Sequence, residues 1–108
     1  MSDKKINKST KACSLKDVLD VIGGKWAMPI IYHLSKGKLR FKEIERTVEG
    51  INTRMLVKEL KNLEANGIIS RKVFATVPPT VEYTLTEKGG KLLPSIQSLH
   101  QWGQKYAV

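Results

Sequence analysis

The spacing of apolar residues changes at Gly67, and this change limits the folds that the chain can adopt. Before Gly67, apolar residues recur every three or four positions, which is the period of an amphipathic helix. After it, residues 81–86 alternate between apolar and polar side chains, which is the period of a half-buried strand. Pro78 and Pro79 separate these residues from an earlier β-prone run at 68–77. The sequence therefore predicts several helices followed by a two-stranded hairpin.

Polar capping residues and glycines divide the helical parts into segments. Ser14, Asn52 and Thr86 each stand before an apolar-periodic run, where a side-chain oxygen can accept the unpaired N–H groups of a helix start. Glycine follows several of these runs, as it does at helix ends. The predicted helices are residues 14–22, a segment between Gly24 and Gly37 with Pro29 near its first turn, residues 40–48, residues 52–66, and a helix that starts after Thr86 and bends at Pro94.

The order of these elements is that of a winged helix-turn-helix. The third and fourth helices are joined by a short turn containing Gly50, and the proline-tipped hairpin after them forms the wing. A chain of 108 residues suits one domain. We expect a mainly α domain at residues 13–108, with about five helices, a two-stranded wing and dimerisation helices at both ends. Residues 1–12 are lysine-rich and are predicted to form a flexible basic tail.

The net charge of +9 is concentrated in the middle of the chain. Residues 36–72 carry ten basic and five acidic side chains, which is more than half of the excess positive charge. A basic surface of this kind suits a polyanion such as double-stranded DNA. Net charge also promotes solubility, so charge alone supports DNA binding and mere solubility about equally.

In a helix-turn-helix the second helix lies in the major groove, with its first residues at the base edges. The apolar residues predicted to point inward from this helix are Met55, Leu56, Leu60 and Leu63. Arg54 is then the best candidate to read a base, because its guanidinium can bond guanine O6 and N7 together. Lys58 and Lys61 suit phosphates, and Thr53 suits either. The alternative is an ordinary solvated helix face whose glutamates support the lysines.

The predicted contacts with double-stranded DNA extend from this helix to the start of the preceding helix and to the wing. The full set is Arg40, Lys42, Asn52, Thr53, Arg54, Val57, Lys58, Lys61, Arg71, Lys72, Pro78, Pro79 and Thr80. Because the wing tip carries no charge, it is expected to make only an accessory contact, in a minor groove.

Several motifs, taken together, resemble the HxlR-type transcriptional regulators. They are IGGKW at 22–26, the Arg40-Phe41 pair, INTRML at 51–56, LxxLEANGII at 60–69, Pro78-Pro79, VEYTLT at 81–86, Gly89 and Trp102. The resemblance covers about residues 13–102 and implies a small bacterial winged-helix factor that acts as a dimer without a separate ligand domain. The chain departs from the usual pattern at Asn52, where serine is common, at Pro29, in a usually aliphatic run, and at Thr80, a frequently basic wing position.

Apolar residues on the first and last helices are expected to form a homodimer interface, because a small monomer offers no obvious place to bury them. The predicted interface is Leu15, Leu19, Leu92, Ile96, Leu99 and Trp102. Such a dimer would read an inverted repeat as a sequence-specific regulator. The alternative, from another class, is a winged-helix module whose basic face binds an acidic protein partner. Salt-dependent retention on random duplex DNA separates the two.

The single cysteine, Cys13, excludes an intramolecular disulfide and agrees with a reducing compartment. The N-terminus lacks the apolar stretch of a secretory signal, so a cytoplasmic location is expected. The family resemblance implies redox or electrophile sensing through a cysteine at this position in some members. A helix start and nearby lysines also favour the reactive thiolate. The alternative is a small apolar residue packed at the dimer seam.

The sequence offers little for catalysis. Its two histidines, His33 and His100, lie in predicted helices without a carboxylate at base-orienting spacing. It contains no Cys-x-x-Cys, His-x-x-x-His or glycine-rich phosphate-binding motif. We therefore expect no enzyme activity, no catalytic residue, no metal and no cofactor.

Overall fold

Six α-helices and three strands build residues 14–107, the part of the chain that the computed structural model describes. In chain order they are α1 (Leu15–Ile22), α2 (Ala27–Leu34), β1 (Leu39–Arg40), α3 (Phe41–Thr47), α4 (Thr53–Ala65), β2 (Ile69–Phe74), β3 (Thr80–Leu85), α5 (Glu87–Gly90) and α6 (Leu93–Trp102). A π-helical turn, Gly103–Ala107, follows α6. The predicted tail at residues 1–12 and the predicted sensor Cys13 lie outside the described residues.

The helix starts predicted at Ser14, Asn52 and Thr86 are confirmed. Ser14 Oγ accepts from the Asp17 N–H at 3.2 Å, and the Asp17 carboxylate accepts from the Ser14 N–H at 3.1 Å. Asn52 Oδ1 and Thr86 Oγ1 each accept from the N–H three residues later, at 2.8 and 3.0 Å. These bonds satisfy N–H groups that have no partner within the helix, so each helix begins at its capping residue.

The wing is the two-stranded hairpin that the sequence predicts, and a third strand joins it. β2 and β3 pair antiparallel, with Lys72 opposite Glu82. β1 pairs with the other edge of β3, with Leu39 opposite Tyr83, which gives the sheet order β1-β3-β2. The sequence alone predicts no strand at β1, because two residues carry no period of their own. This strand depends on its pairing with β3, a contact between distant parts of the chain.

Helices α2, α3 and α4 pack on one face of the sheet and form the core with it. The largest side chains with almost no solvent exposure are Ile30, Ile31, Ile44, Leu56, Leu63 and Ile69. Leu56, Leu60 and Leu63 point inward from α4, as predicted. The inward position predicted for Met55 is wrong, because this side chain is 41% exposed. One residue turns an α-helix by about 100°, so Met55 lies beside the buried stripe rather than on it.

The C-terminal part forms two helices, where the sequence predicts a single helix bent at Pro94. α5 ends at Gly90, Lys91 and Leu92 follow, and α6 begins at Leu93. Pro94 lies in the first turn of α6, where a missing N–H leaves no intrahelical bond unmade. A continuous helix would need a hydrogen bond from residue 94 to the Gly90 carbonyl, which proline cannot donate. The helix therefore breaks before Pro94 and does not bend at it.

Candidate nucleic-acid interface

One face of α4 is exposed and carries positive charge. The exposed side chains on it are Thr53, Arg54, Val57, Lys58 and Lys61. The buried leucines lie on the other side of the helix. Thr53 and Arg54 are the first two residues of α4, and this end of the second helix reaches the base edges in a helix-turn-helix. The structure therefore brings these five predicted residues together on one accessible surface.

The turn between α3 and α4 fixes where this surface begins. Gly50 has a φ of +90°, in the left-handed region that favours glycine. Val48 and Ile51, on either side of it, are buried in the core. Asn52 then caps α4 with its amide oxygen, so its amide nitrogen is the group that can donate to DNA. Two apolar anchors and one cap thus set the start of α4.

A side-chain hydrogen bond also joins α3 to the first residue of α4. The Thr53 hydroxyl donates to a carboxylate oxygen of Glu45, which is half-buried. The sequence does not single out Glu45, because it lies eight positions before Thr53 and only the turn brings the two together. Glu45 is therefore a residue beside the candidate interface that reasoning from helix periods misses.

The two basic residues of β2 lie on opposite faces of the sheet, because successive residues of a strand alternate. Arg71 stands opposite Tyr83, and both line a groove of about 410 Å³ together with Lys61 of α4. Arg71 is therefore on the same side as α4. Lys72 stands opposite Glu82, on the outward face. If both residues contact DNA, as predicted, they do so from different sides of the wing.

The outward face of the sheet gathers basic side chains around Glu82. Arg40 and Lys72 are its neighbours across β1 and β2, and Lys38 Nζ lies 3.5 Å from Glu82 Oε1. Glu43 lines the same groove as Lys38, Arg40 and Glu82, so three cations meet two carboxylates, and the excess of one positive charge suits a phosphate. Lys42 is exposed in the first turn of α3.

The tip of the wing is apolar, and its hydroxyls bond within the tip. Thr76 Oγ1 donates to the Pro78 carbonyl at 2.6 Å and lies 2.9 Å from Thr80 Oγ1. Val77, Pro78 and Pro79 are exposed, Thr80 is half-buried, and the peptide bond before Pro78 is cis. The tip therefore offers an exposed apolar surface for contact, and its hydroxyl groups are already bonded within the tip.

Further exposed apolar side chains, which we call the terminal face, lie on α1 and on α6 with its π-helical turn. Its members are Leu15, Leu19, Leu99, Trp102 and Tyr106, all more than half exposed. The Trp102 and Tyr106 rings lie 5.7 Å apart between centroids. Tyr106 was not predicted, although it continues the three-to-four spacing of Leu99 and Trp102. Ile96 is only 6% exposed and Leu92 is half-buried, so both of these predicted interface residues pack within the chain.

The Asn62 side chain connects α4 to α1. Asn62 Nδ2 donates to the Val21 carbonyl at 3.1 Å and to Glu59 Oε2 at 3.0 Å. Asn66 Nδ2 donates to the Asn62 carbonyl at 2.8 Å. One hydrogen bond therefore joins the end of α1 to the second half of α4, and the other two hold the Asn62 and Asn66 side chains along α4.

Comparison with known proteins identifies the family. The profile of the HxlR-like helix-turn-helix family matches residues 21–108. The chain belongs to this family. The helix-turn-helix-type transcriptional regulator YybR of Bacillus subtilis is 46% identical over 105 residues, which cover 96% of this chain and 84% of that protein. Like its relatives, this HxlR-like chain is a transcriptional regulator of the helix-turn-helix type.

Solved structures agree with the winged-helix fold of this HxlR-like chain. The redox regulator HypR in its oxidised form is 46% identical, with a TM-score of 0.81, over 86% of this chain and 96% of that chain. The diamide-treated form of YodB from B. subtilis is 37% identical, with a TM-score of 0.73, over 89% and 96% of the two chains.

The two histidines of the HxlR-like chain lie in a groove between α2 and α6. Burial, and to a smaller extent the charge of Lys36, lower the pKa of His33 below its ordinary value. The His100 ring lies 5.9 Å from that of Tyr32, between centroids. Among residues 14–107, no three His, Cys, Asp or Glu side chains come together as metal ligands. No helix in that range is long and apolar enough to cross a membrane.

Proposed function

We propose that this HxlR-like protein binds double-stranded DNA as a homodimer and regulates transcription from an inverted-repeat operator. The observation that carries the proposal is the exposed face of α4, where a capped helix start presents Arg54 beside a turn anchored in the core. Lys58 and Lys61 continue this face, and Arg71 of the wing lines a groove beside it. A basic helix flanked by a basic strand matches the shape and charge of a major groove with its phosphates.

Each group of residues has its own role in the proposal. Arg54 bonds a guanine edge, because it is the basic residue at the helix start and its fork matches O6 and N7. Lys58, Lys61 and Arg71 bind phosphates of the same half-site. The remaining contacts, which position the duplex, come from the start of α3, from Asn52 and Val57, and from the wing. They are Arg40, Lys42, Asn52, Val57, Lys72, Pro78, Pro79 and Thr80.

Arg54→Ala is expected to lower affinity for the selected operator by about 1–3 kcal/mol and to relax one base position, because a base contact is lost. Lys61→Ala, the matched control, should weaken binding to all sequences alike and make the salt dependence shallower. The measurement is fluorescence anisotropy on operator and random duplexes at several salt concentrations. Equal loss on both duplexes in Arg54→Ala would make Arg54 a phosphate contact. Absence of salt-dependent binding to the random duplex in the wild type would instead favour the acidic protein partner.

The terminal face provides the two-fold contact in this proposal. Leu15 and Leu19 of α1 and Leu99 and Trp102 of α6 are large apolar side chains that water otherwise covers. Burying them against a second copy brings two α4 helices to one duplex, where their separation must match about 34 Å of helical repeat. Because Asn62 links α4 to α1, a movement of α1 at the interface would move α4 as well.

A redox response through Cys13 is a second candidate function. The observation that favours it is the likeness to HypR, a redox regulator solved in oxidised and reduced forms, and to YodB, solved after diamide treatment and reduced. Cys13 immediately precedes Ser14, the cap of α1. In an intersubunit bridge, two thiols would lose two protons and two electrons to the oxidant and form one S–S bond. Such a bridge needs the two Cα atoms within about 7 Å.

Diamide treatment of the wild type is expected to lower operator affinity, with recovery in reductant, because modification next to the cap of α1 shifts the dimer geometry. Cys13→Ser should bind equally well with and without diamide. The measurement is an operator titration together with non-reducing gel electrophoresis. If both proteins respond alike, or neither responds, Cys13 is a packing residue.

A further inference from the structure

The hydrogen bond between Thr53 and Glu45 determines which chemical groups Thr53 can recognise. A threonine hydroxyl has one proton to donate and two lone pairs that accept, whereas a carboxylate at neutral pH only accepts. In this structure the Thr53 hydroxyl donates to Glu45, so its proton is already used. Toward a partner, the Thr53 oxygen can therefore only accept a hydrogen bond.

We infer that Thr53 reads its base pair as a hydrogen-bond acceptor and that Glu45 sets this polarity. The inference rests on the proposed entry of α4 into the major groove. There, adenine N6 and cytosine N4 are donors, while guanine N7 and O6 and thymine O4 are acceptors. An accepting Thr53 therefore favours adenine or cytosine at the contacted position and disfavours guanine and thymine.

The same polarity excludes a phosphate as the partner of the Thr53 hydroxyl. Phosphate oxygens only accept at neutral pH, and a bond to one would need the hydroxyl proton that Thr53 already donates to Glu45. Turning the Thr53 O–H toward a phosphate would leave the half-buried Glu45 carboxylate without its donor, beside the negative DNA backbone. Carboxylate and phosphate are both charged acceptors, so the exchange gains no stronger bond and leaves Glu45 without a donor, which makes it unfavourable. Thr53, which the sequence assigned to either role, becomes a base contact and Glu45 a positioning residue.

In the first step of the test, the wild-type protein selects its binding sites from a pool of random DNA duplexes. In the selected half-site, each adenine is replaced by purine and each cytosine by pyrimidin-2-one, which removes one amino group at a time. At one position this replacement is expected to lower wild-type affinity about tenfold. Thr53→Val keeps the shape and lacks the accepting oxygen, so at that position it should bind both duplexes equally.

Glu45→Ala tests the polarity itself. This change releases the Thr53 proton, so the selected base at that position should shift from adenine or cytosine toward guanine or thymine. Glu49→Ala is the matched control, because it removes an exposed carboxylate from the same turn region and leaves Thr53 bonded to Glu45. Its base preference should equal that of the wild type, although both variants gain affinity for random DNA through the lost negative charge.

The outcomes separate the inference from the function on which it rests. If the wild type enriches no site, sequence-specific binding is wrong and the inference falls with it. If a site is enriched but Thr53→Val remains as sensitive as the wild type to every amino-group removal, only the role of Thr53 is wrong. An unchanged preference in Glu45→Ala would overturn the role of Glu45.

Discussion

Replacing Gly89 by alanine is expected to lower the free energy of unfolding by about 3 kcal/mol, at the upper end of the usual cost of overpacking. An added Cβ would lie 2.1 Å from the carbonyl oxygen of Ile68 and 3.0 Å from its Cγ2. The carbonyl cannot easily move aside, because it accepts from the Thr86 N–H at 3.0 Å and the Thr86 hydroxyl holds the neighbouring Gly67 carbonyl at 2.6 Å. The substitution therefore forces apart the start of α5 and the chain that enters β2.

Gly90→Ala is the matched control for this effect. A Cβ at Gly90 would meet nothing within 4 Å, and alanine favours a helix over glycine by about 1 kcal/mol. Its unfolding midpoint should be unchanged or raised. Urea unfolding followed by far-ultraviolet circular dichroism measures both variants. Equal midpoints for the two would mean that α5 does not hold its observed position against β2.

The helices were predictable because their signals are local. Ser14 and Asn52 cap through atoms only three residues away, and the inward leucines of α4 follow from a period of three to four. β1 and the break before Pro94 were not predictable in the same way. β1 exists only because it pairs with β3. A proline can bend a helix or begin a new one, and the contacts around Pro94 decide that it begins α6.

The exposed face of α4 was predictable because it is what remains once the buried leucines are assigned. The sequence did not predict which face of the wing each basic residue occupies, because the faces of Arg71 and Lys72 follow from the pairing register of β2 with β3. Local periods also could not join Glu45 to Thr53, which lie on different helices. Contacts within one helix can thus be read from the sequence, whereas the polarity of a base contact required the arrangement of two helices.

Leu19→Glu is expected to convert the dimer to a monomer and to weaken binding to the full operator by about a hundredfold or more. Leu19 is 51% exposed on the terminal face, so a charge there costs the folded monomer little. In a two-fold interface the two charges would approach each other in an apolar contact and would lose their hydration. A dimer on two half-sites gains about 10²–10⁴ in affinity through effective concentration, and the monomer loses this gain.

Binding to a single half-site separates this effect from damage to α4. The variant and the wild-type protein should bind an isolated half-site equally well at concentrations where the wild type is monomeric, because the face of α4 is unchanged. Val77→Glu, which charges a fully exposed valine at the wing tip, should keep the dimer mass in light scattering. A Leu19→Glu protein that remains a dimer would remove α1 from the interface. Equal losses on half-site and full operator would mean that the terminal face supports α4 within one chain and does not join two.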